Sequence, residues 1–227
     1  MELTAIAETL ANPLYSQITQ SRWKRLWQSI PATGDGEAWF SHLVHRYSEP
    51  HRHYHNLQHL NECLMELDQV RPQVAQPAML ETALWFHDAI YDSQSGAHNE
   101  SLSADLAAKA LREDCVEEPF IEGVHSLILM TKTHIVNDAP DAAFMCDIDL
   151  SILGREEERF SAYEKAIRQE YAWVPEAEYV AGRRRVLEGF LERSHLYATP
   201  HFRERYEKKA RLNLQHSIKL LKAGLLA

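Results

Sequence analysis

The chain has 227 residues, of which 45% are hydrophobic and 25% charged, and its 33 acidic against 24 basic side chains give a net charge of −9. This length and composition fit a soluble globular protein with a substantial core. The acidic balance argues against a non-specific nucleic-acid binder or a membrane-surface protein. An anionic substrate stays open, because a bound metal and a few arginines reverse the sign locally.

In chain order, almost every segment carries the helical period. Leu3, Ile6 and Leu10 begin an apolar stripe that Pro13 interrupts. Ser21 is placed to cap a helix carrying Trp23, Leu26, Trp27 and Ile30, stopped by Pro31. Thr33-Gly34-Asp35-Gly36 reads as a loop. Trp39, Phe40, Leu43, Val44 and Tyr47 then recur at helical spacing up to Pro50. Leu57, Leu60, Leu64, Leu67 and Val70 form the next stripe, and Leu80, Ala83, Leu84, His87 and Tyr91 a face of the helix after Pro77. A polar loop runs from Asp92 to Asn99. Leu102, Leu106 and Ala110 mark a short helix, and Pro119 opens one with Phe120, Val124, Leu127, Thr131 and His134 on a face.

Asp141 is placed to cap the helix containing Phe144, Asp147, Ile148 and Asp149, which Gly154 ends or bends. Phe160, Tyr163, Ile167 and Tyr171 follow, then Tyr179, Arg183, Val186, Leu187 and Phe190 after Pro175. The last stripe, after Pro200, holds Phe202, Tyr206, Ala210, Asn213 and Leu221. No alternating β pattern of useful length, internal repeat or low-complexity linker occurs. The expectation is one all-α domain over 1–227, with a core of about 36–155 on which N- and C-terminal helices pack.

Cys63, Cys115 and Cys146 are too few and too widely spaced to imply a disulfide framework, and read as partly buried thiols in a reducing compartment. The N-terminus carries no basic region followed by an apolar core, and no apolar run approaches the ~20 residues that span a bilayer. The expected location is the cytoplasm, with no membrane partner.

Thirteen histidines are unusual, and seven of them fall between His42 and His87. In Tyr54-His55-Asn56-Leu57-Gln58-His59 two imidazoles stand four residues apart, so on a helix they share a face. His87 lies in an apolar stripe with Asp88 directly after it, and a buried carboxylate needs a partner. Asp147 and Asp149 sit in an otherwise apolar run and again call for a cation. They are roughly 200° apart on a helix, so only one is expected to ligate directly. Imidazole with carboxylate suits Mn, Mg, Fe, Ni, Co or Zn in differing degrees. Such an ion makes hydroxide from water and polarises a phosphoryl oxygen.

The ordered set His59, His87-Asp88 and a later Asp resembles the signature of the HD superfamily of metal-dependent phosphohydrolases, which are all-α. Tyr-His-Asn-x-x-His at 54–59 is also similar to the motif of cyclic-nucleotide phosphodiesterases. Leu84 to Asp92, Asn99-Glu100, Thr131 to His134, Asp147 to Gly154, Gly182-Arg183 and Ala210 to Leu214 resemble a bacterial subfamily of predicted HD phosphohydrolases, so the likeness covers most of the chain. It implies an HD-domain-like helical bundle with additional C-terminal helices. His59, His87, Asp88 and Asp149 would hold one or two divalent ions, Asp149 being preferred to Asp147 for its Asp-Leu context, and Asp88 would also take part in catalysis. His55 matches the phosphodiesterase histidine that protonates the leaving oxygen. The match to the longer phosphodiesterase pattern stops after His59, so cyclic-nucleotide specificity is not implied.

Other residues are open to two readings. His134 is either a second-metal or phosphate group or a helix-terminal histidine on the dipole. Lys132 and Arg52 either neutralise phosphate or are solvated. Arg183 clamps phosphate or pairs with a buried acid. Glu100 positions water or is a first-turn acid. The leading expectation is hydrolysis of a phosphomonoester or phosphodiester of a small metabolite or nucleotide, with a homodimer allowed. The alternatives are an HD-type di-iron oxygenase and a non-catalytic metal- or nucleotide-binding regulatory module.

Overall fold

The computed structural model describes residues 10, 12–136, 138, 139 and 141–225; the opening residues Leu3 and Ile6 of the first stripe lie outside them. Among the described residues every regular element is helical and there is no strand, so the fold is all-α. The chain groups into two compact units, Met1–Met145 and Cys146–Ala227.

In the first unit, α1 (Gln20–Ser29) is capped by Thr19, whose hydroxyl accepts from Arg22 N at 3.1 Å, and not by Ser21. Its Trp23 and Trp27 stack at 4.6 Å and are buried. Gly36, at φ 64°, starts α2 (Glu37–Tyr47). A Cβ there would lie 2.7 Å from the Trp27 ring, so both backbone and space require glycine. Helix α3 (Leu57–Val70) begins where Asn56 Oδ1 accepts from Gln58 N and His59 N.

Helix α4 (Pro77–Phe86) opens on its proline, and Leu80 through Phe86 are all buried. A helix buried all round needs neighbours all round; α1, α3, α5 (Asn99–Glu113) and α6 (Glu118–Met130) pack against it. Arg22 joins three of these helices through Asp68 on α3 at 2.7 Å and Glu81 on α4 at 2.7 Å.

Some stripes turned out differently. Helix α5 buries Ser103, Ala104, Ala107, Ala108, Ala110 and Leu111, while Leu102 is exposed. The alanines let α5 lie close along α6, so small side chains rather than leucines mark the inner face. Thr131 and His134 fall beyond the end of α6, with His134 in a left-handed turn at φ 50°. Cys115 is exposed, at φ 59° in the turn after α5. Asp141 does not turn its carboxylate onto α7 (Ala142–Asp149); the two oxygens accept from Ala75 N at 2.8 Å and Gln76 N at 2.7 Å, ahead of α4.

In the second unit, a 3-10 turn Leu150–Gly154 leads to α8 (Glu157–Glu170) and α9 (Glu176–Glu192). Pro200–Phe202 and a π turn Arg203–Glu207 then run into α10 (Lys208–Lys222). Helix α10 packs on the 3-10 turn and on α9. A Cβ on Gly154 would meet Tyr206 Cβ at 2.5 Å, so glycine permits that approach. Asn213 holds the turn by donating to Leu153 O and Arg155 O at 2.8 and 2.9 Å. Val186, expected on the inner face of α9, is exposed.

Candidate metal centre

Two short-range devices bring the key side chains of the first unit together. The Asn56 cap starts α3 so that His59 falls in its first turn, fully inside the unit. Helix α4 stops at Phe86, so His87 and Asp88 stand in the turn just beyond it and not on its face. His87 Nδ1 lies 2.8 Å from Leu84 O. A carbonyl only accepts, so Nδ1 carries a proton; with a second proton on Nε2 the ring is a cation that donates to Asp88, and giving that proton up to a bound ion exposes the Nε2 lone pair. The same bond satisfies one of the last carbonyls of α4.

His59 Nε2 and His87 Nε2 are 3.0 Å apart. Asp88 Oδ2 is 3.1 Å from His87 Nε2 and 3.4 Å from His59 Nε2. Ligand bonds of about 2.1 Å meeting at about 90–110° span edges of this length, so the three atoms match one face of a coordination sphere. Burial works to raise the Asp88 carboxyl. The charges of His87 and His55 and hydrogen bonds from His59 and His87 outweigh it, holding the group well below the usual carboxylate range. Asp88 is therefore a carboxylate at neutral pH, as ligation needs.

The surrounding shell is aromatic and cationic. His55 lies in the turn before α3 rather than on the helix, stacked on the Tyr91 ring at 4.1 Å and edge-on to His59 at 6.0 Å. Tyr47 Oη accepts from Asp88 N at 3.2 Å, and burial pushes its phenol up to about 12. Arg52, read from sequence as a phosphate or solvent group, is buried among the backbone. It donates to Asp88 O at 2.5 Å, Ala89 O at 2.9 Å and His55 O at 3.1 Å, and pairs with Glu49 at 2.9 Å. Both turns of the site are thus tied to one guanidinium.

Cys63, expected as a partly buried thiol, is fully buried. It follows His59 by one helical turn, with Sγ 3.8 Å from each ring nitrogen. Ligand atoms of His59, Cys63 and His87 lie within 4.8 Å of one another, so this buried group could hold a metal ion. The i, i+4 spacing of His59 and Cys63 was the available signal.

The remaining candidates have other surroundings. Asp147 accepts from Ala198 N, Thr199 N and Thr199 Oγ1, each at 2.7 Å, so both oxygens are engaged within the second unit rather than offered to an ion. Asp149 is the last residue of α7 and is half-buried. Arg183 pairs with buried Glu164 and lies 5.1 Å over Tyr163, which resolves its two readings in favour of the buried acid. Lys132 Nζ donates to Ala97 O at 2.6 Å from an exposed position. Glu100 is in the first turn of α5 with Oε2 buried and unpartnered among the described residues. Asn99 beside it closes the 92–99 loop by exchanging bonds with Asp92.

Comparison with protein-family models, curated proteins and solved structures gives no match. The geometry of the centre therefore stands on its own residues.

Proposed function

We propose that the chain is a metal-dependent phosphohydrolase acting on a phosphomonoester or phosphodiester of a small metabolite or nucleotide. The observation that carries this reading is the triangle of His59 Nε2, His87 Nε2 and Asp88 Oδ2 with edges of 3.0, 3.1 and 3.4 Å. The likeness of Tyr54 to His59 and of His87-Asp88 to the HD signature supports it, and the same likeness assigns Asp149 as a further ligand.

A divalent ion held there would supply Lewis acidity toward a phosphoryl oxygen and a bound water of lowered pKa. The protein's own contributions are specific. His87 is held as the Nδ1–H tautomer by Leu84 O, which keeps its Nε2 available. Asp88 is kept ionised by its histidine neighbours. His55, positioned by the Tyr91 ring, holds a proton for the leaving oxygen. Arg52 fixes the two turns instead of touching phosphate.

The test is a panel of phosphomonoesters and phosphodiesters, assayed with Mg²⁺, Mn²⁺, Co²⁺, Ni²⁺ or Zn²⁺. Turnover by the wild type, abolished together with metal binding in His59→Ala and Asp88→Ala, is the expected result; Asp149→Asn tests the further ligand. Full activity in either alanine variant, or no hydrolysis of any ester by metal-loaded protein, would overturn the reading.

A further inference from the structure

Among the described residues of the first unit Cys63 is the buried cysteine, and the hydrolytic scheme does not use it. Its sulfur is 3.8 Å from both His59 ring nitrogens, and the ligand atoms of Cys63, His59 and His87 all lie within 4.8 Å of one another, so a rotamer change at Cys63 brings sulfur and imidazole to one ion with bonds of about 2.3 and about 2.0 Å. It is buried against the same histidine that faces His87 at 3.0 Å. Helix α3 supplies both donors one turn apart, so the pair is built by the backbone and not by a mobile loop.

We propose that Cys63 is a sulfur ligand of this centre, joining His59 and His87 to form a site selective for a thiophilic ion such as Zn²⁺ over Mn²⁺ or Mg²⁺. The proposal rests on the reading of His59 and His87 as a metal centre and adds a donor to it. Coordination breaks the S–H bond, forms a sulfur–metal bond and releases one proton to solvent. Thiolate favours soft or borderline ions, whereas a carboxylate and imidazole set without sulfur leaves harder ions competitive. With the sulfur in place, metal identity is governed by a side chain outside the histidine–aspartate set.

The experiment uses full-length metal-free protein titrated with Co²⁺ alone and followed by absorption, with Cys63→Ser, Cys63→Ala and His59→Ala as variants. The wild type is expected to show a near-ultraviolet thiolate-to-cobalt charge-transfer band alongside visible ligand-field bands. Both cysteine variants should lose the charge-transfer band, keep the visible bands, and bind Zn²⁺ about 10–100-fold more weakly or worse, the range set by disturbing even an outer partner of a ligand. Their Mn²⁺ affinity should change far less. Visible bands without charge transfer in the wild type would overturn the sulfur assignment and leave the histidine centre standing. Absence of any cobalt spectrum in the wild type would overturn both. Circular dichroism matching the wild type in Cys63→Ser keeps a folding defect from mimicking ligand loss.

Discussion

The Arg52 guanidinium donates to the carbonyl oxygen of Asp88 at 2.5 Å, binding the turn that carries a candidate ligand to the turn that carries His55. Arg52 also lies 5.3 Å over Tyr47 and 5.7 Å over Tyr91, which leaves its side chain no exposure. Arg52→Ala strands three carbonyls and Glu49, so it should cost about 3–5 kcal/mol in urea unfolding. Arg52→Lys should recover little, since an ammonium lacks the planar fork. Metal affinity, read by titration under conditions where the variant is folded, should fall about 10–100-fold. Unchanged affinity in a folded variant would remove Arg52 from the support of the site.

His55 gives a prediction about leaving groups. Removing a general acid lowers turnover by about 10²–10⁴-fold when the leaving oxygen needs a proton. His55→Ala should therefore slow alkyl phosphate esters by that range and p-nitrophenyl esters much less, with metal occupancy intact. Equal losses for both would make His55 a positioning residue, and loss of metal would make it a ligand or a structural support.

Asp88 gives a pH dependence. Its folded carboxyl is held well below the ordinary value, burial notwithstanding, by His87, His55 and the hydrogen bonds from His59 and His87. A carboxylate favoured by folding contributes fully above its unfolded pKa of about 3.9 and loses that contribution as pH falls through the folded value. In metal-free protein the stability difference between wild type and Asp88→Asn, from urea midpoints, should shrink as the pH falls below about 4. A difference that grows on acidification would contradict the sign.

Asp147 is expected to matter for folding. Its two oxygens satisfy three donors at Ala198 and Thr199. Asp147→Ala should cost about 2–4 kcal/mol in denaturant unfolding, because the amides of Ala198 and Thr199 and the Thr199 hydroxyl lose this acceptor. A change under about 0.5 kcal/mol, the range of ordinary surface substitutions, would show the tether to be dispensable.

Helix positions were largely legible because apolar spacing and prolines are local signals: α3 begins at Leu57, α4 at Pro77 and α6 at Glu118 beside Pro119. The pairing of His59 with His87-Asp88 was legible too, since a histidine and a carboxylate in an apolar stretch need a partner. The role of Arg52 was not, because its acceptors are backbone carbonyls of residues 36 and 37 positions away, which leave no mark on side-chain pattern. Asp147 was ambiguous for the same reason, its donors being mainly the amides of Ala198 and Thr199. The inner face of α5 was missed because close helix approach selects alanine, and periodicity scored on large residues points instead to exposed Leu102.

The most direct test is the metal content of the protein after equilibrium dialysis against Mn²⁺ or Zn²⁺, compared among wild type, His59→Ala, His87→Ala and Asp88→Ala. At least one ion per wild-type chain is expected, with near-complete loss in each variant and a lower melting temperature for the wild type on chelation, as mass action requires of a ligand bound only by the folded state. A wild type that binds no ion, or variants that keep full occupancy, would contradict the metal centre at His59, His87 and Asp88.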